Sequence, residues 1–214
     1  SGEGNDGTLY DANTTNDDGN TPPQWTDGKF GKALRFDGVD DYVKVPASEI
    51  FNFTSELCAV VWVYGSEGGR SQLSLHQQSW STPRRGWFLQ WDDGLNRTCF
   101  QLTRPESAAK PCIPRPSLNE WHMIAYNWKR PTLQMIVDGD IDEYNWDYDL
   151  YTAKDLPIYI GVERSKNFYN GTIDEVLIYN KALSEEELSD LYNNYGYTTP
   201  NYPNKVLVRK YTEP

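Results

Sequence analysis

The chain has 214 residues and a formal charge of −11, enough for one substantial core and the size at which an all-β sandwich forms a single domain. The acidic balance excludes nucleic acid as a partner, because phosphates need a basic footprint, and no run nears the roughly 18 apolar residues of a membrane-spanning helix. With 14% aromatic residues, many Gly and Pro and only short apolar runs, the composition points to many short strands separated by turns.

The chain opens on Ser1-Gly2-Glu3-Gly4-Asn5-Asp6-Gly7-Thr8-Leu9, and Asp11 to Asp27, full of Asn, Thr, Asp, Gly and Pro, reads as a loop. From Gly28 to Val45 the pattern is strand, acidic turn, strand: Leu34 and Phe36 alternate with Arg35, Asp37 to Asp41 supply turn chemistry, and Tyr42, Val43 and Val45 resume a β-prone run. This predicts a hairpin with an acidic tip. Further strands are predicted at Leu57 to Tyr64, Gln72 to His76, Gly86 to Trp91, Cys99 to Thr103, His122 to Trp128, Thr132 to Val137, Ile158 to Val162 and Thr172 to Tyr179. Asp92-Asp93-Gly94 and Asp138-Gly139 mark hairpin turns between them. One helix is predicted from Ser184, where Ser184 and Glu187 form a capping box and Leu188, Leu191 and Tyr192 form an apolar stripe. Gly196 lies just beyond its end, and Lys205 to Tyr211 can form a last strand.

Four segments in order resemble the concanavalin A-like, laminin-G-like domains of secreted proteins: the opening to Leu9, Gly28 to Val45, Trp121-His122-Met123-Ile124-Ala125 with Val137-Asp138-Gly139, and Asn170 to Glu187. The resemblance implies an all-β, two-sheet antiparallel β-sandwich (jelly roll) with one short C-terminal helix. It divides the chain into residues 1–197, a sandwich, and 198–214, an extension, of the type found in microbial and archaeal surface proteins. It also implies a family strand upstream of Ser1, so the chain reads as a piece of a larger protein. Fold alone does not give function, since this one hosts lectins, adhesins, hydrolases and spacers.

Cys99 and Cys112 flank a Pro-containing loop that suits a disulfide, which would imply an oxidising exterior, extracellular or at the cell surface. Cys58, inside an apolar strand, reads as a buried thiol. Asn13, Asn52, Asn96 and Asn170 each begin an Asn-x-Thr sequon. Between Arg70 and Arg130 nine Lys or Arg stand against four Asp or Glu, either solvated strand faces or a basic rim suited to acidic sugars.

Catalysis finds little support. Glucanases of the superfamily carry paired glutamates in a Glu-x-Asp-x-x-Glu pattern, which retaining chemistry needs within roughly 5 Å; the nearest approach is Asp140-Ile141-Asp142-Glu143. His76 and His122 leave few options for a triad or zinc site. Calcium, which takes carboxylate and carbonyl oxygens from separate loops, fits better. Asp174 precedes Val176 and Ile178 on a face expected to point inward, and the resemblance places it near Asp37, Asp40 and Asp41, with the Asn5-Asp6 loop and hence Asp6 close by. The alternative is that Asp41 and Asp174 accept backbone hydrogen bonds and no metal binds.

For a ligand, Tyr144, Trp146 and Tyr148 alternate with acids and would share one face, either stacking on sugar rings or lining the core. Trp87, Leu89 and Trp91 would share a face opposite Phe88 and Gln90, so at most one set lines the core. Trp80, in a polar loop, and Arg85 are the remaining ligand candidates. The sequence therefore predicts a non-catalytic module that binds a glycan or polysaccharide, with a structural Ca2+. Its rival is an assembly domain that contacts neighbouring surface-protein domains.

Overall fold

The computed structural model describes residues 6–12, 21–66, 74–79, 85–92, 96–104, 107–109, 111–148, 150–151, 153–163, 167–193 and 205–208. The strands are β1 (Thr8–Asp11), β2 (Gln24–Asp27), β3 (Lys32–Asp37), β4 (Asp41–Val45), β5 (Glu56–Gly65), β6 (Ser74–Ser79), β7 (Arg85–Asp92), β8 (Arg97–Arg104) and β9 (Ser107–Ala109). They continue as β10 (Cys112–Pro114), β11 (Trp121–Lys129), β12 (Thr132–Val137), β13 (Asp140–Asn145), β14 (Ile158–Ile160), β15 (Val162–Glu163), β16 (Asn167–Phe168), β17 (Asn170–Tyr179) and β18 (Lys205–Val208), with helix α1 (Glu185–Asn193) before the last. One sheet runs β1-β4-β14-β6-β7-β8-β10 and the other β13-β12-β11-β5-β17-β3-β2. All their pairings are antiparallel, and the result is the expected β-sandwich.

Alternation builds the core between the sheets. Leu57, Ala59, Val61 and Val63 of β5 face Trp87, Leu89 and Trp91 of β7 and Phe100 and Leu102 of β8, with Tyr126 and Trp128 of β11 among them. The Phe100 and Tyr126 rings stack at 3.5 Å between centroids. The other face of β5, with Cys58, Val60 and Trp62, is covered by Leu188 and Leu191 of α1. Burial there pushes the Cys58 thiol well up, keeping it a neutral core group. The helix begins as predicted: the Ser184 amide donates to Glu187 Oε2 at 2.8 Å, and the Glu187 amide donates to Ser184 Oγ at 3.2 Å.

Three expectations need correction. First, β3 and β4 are not a hairpin: β3 pairs with β17 and β2, whereas β4 pairs with β1 and β14. The acidic turn is thus a corner where the chain crosses from one sheet to the other, made possible by Gly38 at φ +85°. Second, Asp174 does not share a face with Val176 and Ile178. Glu175 takes φ +46° and the register against β5 shifts between Asp174 and Leu177, so this bulge breaks the alternation. Val176 and Ile178 enter the core between the sheets, while Asp174, buried at 3% exposure, lies on the other face of its sheet and accepts the Phe30 amide at 2.9 Å. Gly28 is required there, because a Cβ would lie 2.5 Å from Asp174 Oδ2.

Third, the segment from Asp11 to Asp27 is not all loop, since β2 closes it as an edge strand. An edge strand with three of its four residues exposed has no buried face and hence no apolar alternation to read. Of the sequon asparagines, Asn170 is buried at 9% exposure and its Oδ1 accepts from Arg35 at 2.7 Å, which disfavours a glycan there. Lys205–Val208 does form a strand, paired with the second half of β17.

Candidate functional site

The face of the first sheet turned away from the core is where aromatic and polar side chains gather. Val43, Ile160, Leu75 and Leu89 point into the core, so alternation leaves Tyr42, Tyr159, His76 and Phe88 on the opposite face. The registers place Tyr10 opposite Tyr42, Lys44 opposite Tyr159, Tyr159 opposite His76, His76 opposite Phe88 and Phe88 opposite Gln101. A continuous row results. The rings of Tyr10 and Tyr42 stack at 5.0 Å, Tyr42 and Tyr159 lie 6.1 Å apart, Tyr159 stacks on His76 at 5.4 Å, and His76 meets Phe88 edge-on at 5.8 Å.

The row is open at one end and closed at the other: Tyr10 is 37% exposed, His76 3% and Phe88 1%. Polar groups accompany the closed end. Gln90 and Asn167 donate to Glu163 Oε2 at 3.3 and 3.1 Å, and Gln101 donates to Thr103 at 3.2 Å. At the open end, burial and the neighbouring phenols of Tyr159 and Tyr10 push the Tyr42 hydroxyl up, so it remains a donor. None of this row was singled out from sequence.

Burial lowers the pKa of His76 to about 3, from about 6.5 in an unfolded chain. The group is neutral when folded, so stability is full above the unfolded pKa and falls as pH drops toward the folded one. Between pH 7 and pH 5 the His76 contribution falls by about 2 kcal/mol. Urea unfolding at the two pH values will show this, and in His76→Gln the loss will shrink to that of the remaining groups.

The second concentration is the acidic corner. Asp37, Asp40 and Asp41 each bring a carboxylate oxygen within 4.8 Å of the others, and Asp40 and Asp41 are buried. Asp37 Oδ1 accepts the Val39 amide at 2.7 Å and the Asp40 amide at 3.3 Å, while Asp41 Oδ2 accepts the Asp37 amide at 2.9 Å. Asp6 and Asp174 do not join them. Asp11, not Asp6, pairs with Asp41, Asp6 precedes the start of β1 at Thr8, and Asp174 lies ~13 Å along β17 from Asn170, the partner of Asp37.

The predicted ligand residues scatter. Trp146 is buried in the core at 5% exposure and Tyr144 packs against it; burial and then Asp142 push the Tyr144 hydroxyl up. Tyr148 is exposed and meets Trp146 edge-on at 5.3 Å, so β13 and its exit do not present the three rings on one face. Arg85 grips Asp155 through two hydrogen bonds of 2.6 Å, which hold the Asp155 carboxyl below its usual range. Trp80 lies outside the described residues. Cys99 and Cys112 are bonded, directly opposite each other on β8 and β10.

His122 explains why two of the sequence segments belong together. Its Nδ1 lies 2.5 Å from Asp138 Oδ2, and Asp138 Oδ1 accepts the Met123 amide at 2.9 Å. Asp138 at φ +52° and Gly139 at φ +91° form the tight turn of the β12–β13 hairpin, so the turn residue also ties β11. Ser117 Oγ stands 3.1 Å from His122 Nε2 and donates to Glu120.

Residues 37–189 match the sequence profile of the concanavalin A-like lectin/glucanases superfamily. No curated protein matches the chain. Among solved structures, domain 4 of AbnA, an extracellular GH43 arabinanase from Geobacillus stearothermophilus solved with arabinotriose, is 18% identical over 87% of this chain and 88% of that one, at a TM-score of 0.58. Mouse laminin α1 domains LG4-5 are 14% identical over 76% of this chain and 44% of that one, at 0.56. The SAP-like pentraxin of Limulus polyphemus is 10% identical over 82% and 90%, at 0.56. At these identities the likeness is one of fold.

Proposed function

Because the chain belongs to the concanavalin A-like lectin/glucanases superfamily, we propose that it is a non-catalytic carbohydrate-binding or adhesion module of a secreted or cell-surface protein. Its glycan or polysaccharide lies across the outer face of the first sheet. One observation carries this reading: the row Tyr10–Tyr42–Tyr159–His76, open at the tyrosine end and beside buried amides and a carboxylate at the other. Sugar rings stack on tyrosine faces, and the tyrosine hydroxyls at the open end can donate to and accept from sugar hydroxyls. The arabinotriose in the structure of AbnA domain 4 shows that this fold can hold an oligosaccharide, and the Cys99–Cys112 bond suits an oxidising compartment.

Ser117, His122 and Asp138 resemble a hydrolase triad in their spacing. We read them as structural, because the Ser117 hydroxyl donates its proton to Glu120 rather than to His122 and Asp138 anchors a turn. A protein-assembly role ranks second. Trp25, 40% exposed on edge strand β2, supports it, whereas Asp140, Asp142 and Glu143 on the opposite edge strand oppose strand pairing.

A glycan selected on an array will lose at least about tenfold in affinity to Tyr42→Ala and to Tyr159→Ala, the scale of one lost stacking contact. Tyr148→Ala will leave it unchanged. Isothermal titration decides: loss with Tyr148→Ala but not with the other two would move the site to the rim.

The proposal includes a structural calcium at Asp37, Asp40 and Asp41. Three converging carboxylates repel one another, and two of them are buried; an oxygen-seeking cation would neutralise that cost. Calcium at hundredfold excess over its Kd will raise the melting midpoint of chelated protein by about 5–10 °C. Asp40→Asn will abolish the rise and Asp174→Asn will keep it; no rise in the parent protein contradicts the metal.

A further inference from the structure

Resting on the glycan reading above, we infer that the ligand is an anionic saccharide whose carboxylate or sulfate sits on the Lys44 ammonium. Lys44 follows Tyr42 by two residues on β4, so alternation places both on the outer face. Its register partners are Thr8 on one side and Tyr159 on the other. It is half-buried among these groups, with its ammonium 6.0 Å from the centroid of the Tyr159 ring. An anionic group bound here would meet one cation and the hydroxyls of neighbouring side chains, while the sugar ring to which it belongs covers a tyrosine face.

Several other cations hold a carboxylate, whereas Lys44, like Lys29 over Phe30 and Trp62, faces an aromatic ring. Lys32, Arg85, Lys154 and Lys181 each hold a carboxylate at 2.6 to 2.8 Å. Among the described residues no carboxylate lies within ion-pairing distance of Lys44, whose ammonium faces the Tyr159 ring. The net charge of −11 does not defeat the contact, because screening limits exposed charges to about 8 Å at physiological salt. Asp41, the nearest member of the acidic corner along the strand, is three residues away and buried with Val43 and Val45 on the other face, ~10 Å along the chain.

The test is a printed array of oligosaccharides in matched neutral, carboxylated and sulfated forms, probed with the whole chain and with Lys44→Gln and Lys44→Arg. The inference expects binding concentrated in the anionic members, lost by roughly tenfold in Lys44→Gln, the scale of one charge-assisted hydrogen bond, and largely kept in Lys44→Arg. Preference within the anionic set tells carboxylate from sulfate. Binding to neutral members alone, unchanged in Lys44→Gln, overturns the inference and leaves the glycan reading standing. Binding to no member overturns both. Equal melting midpoints of the three proteins exclude misfolding as the cause of a loss.

Discussion

Asp138→Ala will lower the unfolding free energy by about 3 kcal/mol, although the residue sits in a two-residue surface turn. Most turn substitutions cost far less. Here one carboxylate serves three purposes: it takes φ +52° in the turn, accepts the Met123 amide at 2.9 Å and faces the buried His122 ring at 2.5 Å. Alanine would leave the amide and the ring nitrogen of the neighbouring strand without their acceptor, and an unsatisfied buried donor costs about 1–3 kcal/mol. It would also force a less tolerant residue into the left-handed region. Asp138→Asn keeps the turn preference and one acceptor oxygen, so its cost will be less than half that of Ala. Urea unfolding measures both. Equal losses for the two variants would mean that the full carboxylate tie to β11, and not the turn conformation that Asn preserves, carries the whole effect.

Removing the disulfide will cost a similar amount. Cys99 and Cys112 are 13 residues apart, and closing such a loop in the unfolded chain is worth about 3 kcal/mol on the chain-entropy account. The bond also fastens β10, three residues long, to β8. The variant with both cysteines changed to serine will therefore unfold at lower urea, and exchange of the β10 amides will rise more than that of β5 at the centre of the other sheet. A midpoint unchanged by reduction would show that strand pairing alone holds this edge.

Where local chemistry decides, the sequence was readable. The Asp138-Gly139 turn, the Ser184–Glu187 capping box and the Cys99–Cys112 pair all depend on residues close in the chain, and the structure has each as expected. Alternation with period two separated Trp87, Leu89 and Trp91 from Phe88 and Gln90, and the structure puts the first set in the core. The failures share a cause as well. The acidic turn looked like a hairpin because two adjacent strands usually pair, and nothing local says that β3 and β4 belong to different sheets. Asp174 was misplaced because one bulged residue, Glu175, reverses every later assignment of faces.

The aromatic row escaped notice for a related reason. Tyr10, Tyr42, Tyr159, His76 and Phe88 come from five strands whose order in the sheet differs from their order in the chain, so their proximity is a property of register. For Trp146 the alternation with acids left sugar stacking and core packing both open, and the chain leaving β13 tucks it into the core. Size favours that outcome, since burying a tryptophan removes more apolar surface than any other single side chain.

The most direct test of the central claim is a titration followed by amide chemical shifts, using an oligosaccharide selected on the array. The account predicts perturbations along β1, β4, β14, β6 and β7 that saturate together and vanish in Tyr159→Ala. Shifts confined to Arg85, Tyr148 and their neighbours, with the Tyr10 to Phe88 row undisturbed, would contradict it.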